Sequence, residues 1–317
     1  MAAAYRVHRY SGVRRVKTRG VGGVVDNTGI GGAVHSDTGD ACNAKKDVRW
    51  CRVQDVSSAG LVEYERAWQW QRAQVHERLE ADNARERSDS GSPGTSGRDV
   101  DALLLLQHEP IYTLGRGGLD EHVLFDPAAP GAARVLRADR GGEATYHGPG
   151  QLVLYPIIDL THHGRDIHEY MRRLEEVVIR ALHECTHGRV SASREKGLTG
   201  VWVDGEKVAA IGVGMRRWIA FHGVAVNVDP DLRAFSSIVP CGIADKGVCS
   251  LRSLLGEDAP DMSDVAESVK RTFADVFDVH IEETQKLLTH HDDDDDDDDG
   301  DHDDDEHDNE CTHVQPP

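Results

Sequence analysis

The stretch GVWVDGEKVAAIGVGM, residues 200–215, constrains the fold more than any other. Asp204-Gly205 is a pair that adopts the positive φ angles a two-residue hairpin turn requires, and the apolar runs on either side have strand length. Strands joined that tightly run antiparallel. WIAFHGVAVNV, residues 218–228, follows at once as another apolar strand. Hairpin strands mixed with long helices give an α+β fold and argue against a doubly wound parallel sheet, whose strands need helical crossovers.

The helices are read from period. DIHEYMRRLEEVVIRALHE, residues 166–184, sets Ile167, Tyr170, Met171, Leu174, Val177, Val178, Ala181 and Leu182 in one stripe. GLVEYERAWQWQRAQVHERL, residues 60–79, places Leu61, Tyr64, Trp68, Val75 and Leu79 at spacings that suit one face. SDVAESVKRTFADVF, residues 263–277, predicts a late helix with Ser263 as its cap. Between them, DALLLLQ and IYTLG read as two strands bent apart at Pro110, and LVLYPIIDL as a buried strand.

Charge divides the chain. The net charge is −20, but fifteen acids and no Lys or Arg lie between Asp292 and Glu310, so the remainder carries about −5. Residues 289–317 are expected to stay disordered, because like charges repel and almost nothing there is apolar. Arg6, Arg9, Arg14, Arg15, Lys17 and Arg19 all precede the first acid, Asp26. Residues 1–46 thus read as a disordered leader resembling a mitochondrial or plastid transit peptide, the alternative being a plain basic extension in a cytoplasmic protein. A domain over 50–285 remains, with a flexible insertion at 82–99, and 38% apolar content supports its core. No apolar run approaches the roughly 20 residues of a membrane span. Neither a membrane nor a nucleic acid is expected as partner.

Six scattered cysteines without a CxxC argue against a zinc ribbon or disulfide framework, and the histidines lack an HExxH spacing, so no metal is expected. Cys241, between Pro240 and Gly242, lies on a constrained loop that a ligand could approach closely. By residue type alone a free cysteine is more often an inert hydrophobe, and Cys249 reads that way. Lys207 follows the hairpin turn, a place that is usually solvent-facing, yet it opens an apolar strand. Beside a thiol its charge would favour thiolate. RGGEATYHGPGQL, residues 140–152, adds glycine N–H groups at Gly141 and Gly142 and side-chain donors at Tyr146 and His147.

Taken in order, RGGEATYHGPGQLVLYPIIDL, TGVWVDGEKVAAIGV, FHGVAVNVDPDL and IVPCGI closely resemble the lipoyl(octanoyl) transferase family, over about Trp50 to Phe277. The resemblance implies a central, mostly antiparallel or mixed sheet flanked by helices, as in biotin- and lipoate-protein ligases. It implies transfer of an octanoyl group from acyl carrier protein to a lysine of a lipoyl domain, the first step of lipoate biosynthesis. The acceptors it implies are lipoyl domains of 2-oxoacid dehydrogenase complexes and the glycine cleavage H protein. Position by position, Cys241 matches the acyl-thioester nucleophile and Lys207 the lysine that lowers its pKa. Arg140, Gly141, Gly142, Glu143, Ala144, Thr145, Tyr146 and His147 match the first substrate-binding segment; Ala210, Ile211 and Gly212, then Gly223, Val224 and Ala225, match the two others. A thioester is already activated, so no cofactor is implied. Rival readings are an ATP-dependent lipoate or octanoate ligase, an amidotransferase between lipoyl domains, and a noncatalytic lipoyl-domain scaffold.

Overall fold

Leu103, Leu104, Leu105 and Leu106 have no solvent exposure at all, which demands cover on both faces of the strand that carries them. The computed structural model describes residues 49–87, 100–239 and 246–285. The leader at 1–46, the tail at 289–317, residues 88–99 of the expected insertion and Cys241 lie outside the described residues.

In chain order the elements are β1 (Trp50–Asp55), β2 (Leu61–Val62), α1 (Tyr64–Arg87), β3 (Asp101–His108), β4 (Ile111–Leu114), β5 (Val135–Arg137), β6 (Ala144–His147) and β7 (Gln151–Asp159). Then come α2 (Ile167–Cys185), β8 (Val201–Val203), β9 (Glu206–Arg216), β10 (Ile219–Asn227), α3 (Leu251–Leu255), α4 (Met262–Phe277) and β11 (His280–Glu283). The main sheet runs β11-β1-β3-β7-β10-β9-β8, with β2 added beside β3. The pairings from β3 through to β8 are antiparallel, while β11, β1 and β3 lie parallel. The sheet is therefore mixed, as the α+β reading expects.

Strand alternation sorts the core into two layers. Leu103, Leu105, Leu152 and Leu154 pack with α2 and α4, including Leu174, Val178, Val269 and Phe273. Leu104, Leu106, Val153 and Tyr155 pack on the other face with Ala67, Trp70, Val75 and Leu79 of α1. Burying each leucine contributes roughly 1.5–3 kcal/mol, so β3 anchors both layers. Helix α2 starts where Asp166 accepts hydrogen bonds from the N–H groups of His168 and Glu169.

Several sequence expectations change in detail. Leu61 lies outside α1, in β2, and is 46% exposed. Trp68 is only half-buried, because its indole N–H is turned out to donate to Asp139 at 2.8 Å, and Ala67 and Trp70 take its place in the buried stripe. Helix α4 begins one residue before Ser263, with Asp261 at the capping position. Helix α1 also continues to Arg87, into the segment assigned to an insertion. At Pro110 the chain leaves the main sheet altogether: β4 joins a second, three-stranded sheet in the order β5-β4-β6.

Leu104→Ala removes a buried side chain between the sheet and α1 and is expected to cost about 2–5 kcal/mol, read by urea unfolding.

Candidate active site

The second sheet stands against the α1 face of the main sheet and leaves a cavity of about 270 Å³ between them. Its walls are β6 and the preceding loop, the facing lengths of β7, β9 and β10, Tyr64 of α1, and the loop at Gly197–Thr199. This is near the lower end of ligand sites, which run from roughly 300 Å³. It suits one slender chain.

Backbone packs closely on backbone along this wall. Gly212 and Gly223 face each other across β9 and β10. An added Cβ at Gly212 would meet the Gly141 carbonyl at 2.9 Å, and one at Gly223 the Leu154 carbonyl at 2.3 Å. The Gly141 N–H is itself committed, donating to the Val213 carbonyl at 2.8 Å, so it ties the loop to β9 and is not offered to a ligand. Arg140 braces the same loop from within: its buried guanidinium donates to the carbonyls of Gly141, Thr113 and Glu143 and to the Thr113 hydroxyl, at 2.8–3.0 Å.

A cluster of aromatic and histidine rings adjoins the cavity. His147 stacks on Tyr64 at 5.8 Å between centroids and meets His108 edge-on at 5.6 Å. The carbonyl of Val62 can only accept, so His108 carries its proton on Nδ1 (2.8 Å) and Nε2 accepts from the Tyr155 hydroxyl at 2.7 Å. Burial pushes the His108 pKa down to about 4, against the pull of the Val62 carbonyl. His147 is pushed well below its ordinary value by burial, then by His108 and Arg140. His222, in a left-handed conformation at φ 56° within β10, contacts the Asp139 carboxylate at 2.7 Å. Burial raises Asp139, but the hydrogen bonds from His222 and Trp68 outweigh it and hold the carboxyl at about 2. The imidazoles here are therefore neutral near pH 7.

Lys207 is 8% exposed rather than solvent-facing, and its ammonium lies 4.8 Å from the centre of the Trp202 ring. Its main chain pairs with the segment following Gly247: the Lys207 N–H donates to Gly247 at 2.9 Å and the Cys249 N–H donates to Lys207 at 3.0 Å. On the upstream side, the Val239 N–H donates to the His122 carbonyl at 2.8 Å, and Val123 bridges Ile238. Both described flanks of Cys241 are thus anchored, one of them directly to Lys207. The three described cysteines are all poor nucleophiles. Burial raises each thiol, Cys51 well above its ordinary value, Cys185 to about 11 and Cys249 to about 12.

The cavity gathers Lys207, Arg140, Gly142, Glu143, Ala144, Thr145, His147, Ala210, Ile211, Gly212, Gly223, Val224 and Ala225. Gly141 and Tyr146 do not line it. Tyr146 points the other way along the alternating β6, into a cluster with Tyr112 and Phe235. The polar and aromatic lining residues that sequence reasoning missed include Tyr64, Tyr155, His222, Gln151 and Asn227. Tyr64 and Tyr155 sit in stripes that read as plain core; nothing in their spacing marks them as wall residues.

A family description, the lipoyl protein ligase A/B catalytic domain, matches residues 64–274. An octanoyltransferase of Thermosynechococcus vestitus is 45% identical over 218 residues, covering 69% of this chain and 87% of that protein. A chloroplastic octanoyltransferase of Arabidopsis thaliana is 43% identical over 245 residues, 74% of this chain and 81% of its own length. Among solved structures, a bi-partite lipoate protein ligase from Thermoplasma acidophilum superposes with a TM-score of 0.51 at 16% identity, covering 76% of this chain and 88% of that one. At that identity the likeness shows the fold.

The buried histidines give a pH signature. The unfolded chain binds a proton at His108 near pH 6.5 that the folded protein refuses until about pH 4. Stability is therefore lost as pH falls through that window, by roughly 3 kcal/mol from this group at pH 4. Urea unfolding at pH 7 and 4.5 is expected to show the loss, and His108→Gln a shallower one.

Proposed function

The chain belongs to the lipoyl(octanoyl) transferase family and is an octanoyl-transferring acyltransferase; from that premise we propose that the octanoyl group passes through a thioester on Cys241. The observation that carries this reading is the main-chain pairing of Lys207 with residues 247–249, which ties the buried lysine to the segment that follows Cys241. Further support comes from the raised thiols of Cys51, Cys185 and Cys249, none of which holds appreciable thiolate at neutral pH.

The chemistry then runs in two transfers. Cys241 thiolate attacks the thioester carbonyl of octanoyl-acyl carrier protein, the carbon–sulfur bond to the phosphopantetheine breaks, and that thiolate leaves and takes a proton. The amine of a lipoyl-domain lysine attacks the acyl-Cys241, an amide forms, and Cys241 departs as thiolate while the amine loses its proton. Lys207 favours the thiolate by charge: lowering a thiol pKa by one or two units takes only roughly 1.4–2.7 kcal/mol. Its positive charge also favours the tetrahedral oxyanion, a stabilisation worth about 3 kcal/mol in a preorganised site. His147 is neutral, with Nδ1–H donated to the Gln151 side-chain oxygen at 2.8 Å, so it presents Nε2 as an acceptor rather than serving as a cationic acid. The narrow cavity takes the aliphatic chain, each buried methylene contributing about 0.8 kcal/mol.

The acceptors are lipoyl domains of 2-oxoacid dehydrogenase complexes and the glycine cleavage H protein. The basic, acid-free residues 1–25 direct the protein to a mitochondrion or plastid; the chloroplastic Arabidopsis relative supports the plastid.

Intact mass after mixing with octanoyl-acyl carrier protein is expected to show one acyl adduct on the wild type and none on Cys241→Ala; an adduct on the variant would sink the assignment. AMP release from ATP and free octanoate would favour ligation instead. Lys207→Ala is expected to move the pH profile of Cys241 alkylation by iodoacetamide up by about one unit, a tenfold loss of thiolate near neutrality.

A further inference from the structure

Two amides outside this chemistry are buried at the cavity wall, Gln151 at 1% exposure and Asn227 at 4%. They stand opposite each other where β7 meets β10. Burying an amide is costly unless its donors and acceptors are met, so the bonds they make reveal what they are for. The Asn227 amide N–H donates to the Cys249 carbonyl at 3.0 Å. Its oxygen accepts from the Gln151 amide at 3.0 Å, and Gln151 also donates to the Tyr146 carbonyl at 3.2 Å. The Gln151 oxygen accepts from His147.

The direction of this chain is fixed at both ends. Main-chain carbonyls at Cys249 and Tyr146 only accept, so neither amide can be turned over without setting acceptor against acceptor. The same logic places the His147 proton on Nδ1. At the far end, Cys249 is gripped twice, its N–H by the Lys207 carbonyl and its own carbonyl by Asn227. Residues 247–249 therefore hang from β9 on one side and from β10 on the other.

We infer that Asn227 is a positioning residue for the Lys207–Cys241 pair. It holds the chain at the downstream root of the nucleophile segment against β10, backing the main-chain bonds from that root to Lys207, and through Gln151 it ties the root to the His147 wall. The inference rests on Cys241 being the nucleophile. Asn227→Asp keeps size and the acceptor but replaces the donor with a carboxylate facing the Cys249 carbonyl, so the root loses its hold on β10.

The test measures Cys241 alkylation against pH, by mass, together with steady-state transfer. In Asn227→Asp the alkylation profile is expected to rise by about one unit and kcat to fall about tenfold, with KM for the carrier-protein donor changed less than about threefold. Val265→Ala, a core change in α4 remote from the cavity, serves as the control for instability and is expected to leave the profile in place. A folded Asn227→Asp protein with an unchanged profile and kcat overturns the inference. So does a Val265→Ala protein that shifts equally, since the effect would then be general loosening. Should Asn227→Asp not fold, Asn227→Ala removes the tether to the Cys249 carbonyl and leaves Gln151 on Tyr146 and His147, so fewer buried groups lose a partner. It is still expected to raise the profile, because the Cys249 carbonyl loses its tether; an unmoved profile overturns the inference there too. Full activity in Cys241→Ala would instead bring down the nucleophile reading itself, whatever Asn227 does.

Discussion

The pairing of Lys207 with residues 247–249 is the interaction on which the site depends. Lys207 is next to the first residue of β9, where the hairpin ladder to β8 begins to give out. A lysine there would ordinarily swing into water. The returning chain takes the main-chain N–H and carbonyl of Lys207, the Trp202 ring lies under its ammonium, and the side chain is left buried in the cavity wall. Main-chain bonds thus solve a side-chain problem, since position 207 cannot move without unpairing Gly247 and Cys249.

Much of the frame was legible because it follows from local rules. Asp204 and Gly205 adopt φ of 49° and 83°, as the turn chemistry requires, and the stripe of α2 is buried as its spacing says. Where the sequence misled, tertiary partners had overruled the local rule. The β9–β10 turn uses Arg217 and Trp218 at φ 48° and 70°, with neither Gly nor Asn to announce it. The long antiparallel ladder between the two strands imposes that turn. Trp68 gave up its place in the apolar stripe to reach Asp139, and Tyr146 turned from the cavity because β6 alternates. Of the site, glycines and Lys207 could be read from motif order. Asn227 and Gln151 could not, because their meaning lies in carbonyls that come near only after folding.

Five hydrogen-bonding rings, His108, His147, His222, Tyr64 and Tyr155, are buried around the cavity that is proposed to take the alkyl chain. Desolvation keeps the imidazoles uncharged, and hydrogen bonds to Val62, Gln151 and Asp139 fix their orientation. Rings of this kind pack as flat hydrophobes on their faces, while the edges of His108, His147 and Tyr155 make hydrogen bonds. The arrangement combines apolar ring faces with a framework stiffer than aliphatic packing would give.

The contact between Gly212 and the Gly141 carbonyl, and that between Gly223 and the Leu154 carbonyl, place main chain against main chain with no side chain between. Side chains change rotamer and drift in size over evolution; peptide planes do neither. A wall joined by peptide planes behaves as a fixed frame. Its spacing persists while the residues around it diverge, so variation in such a wall would have to enter through its side chains and not through its frame.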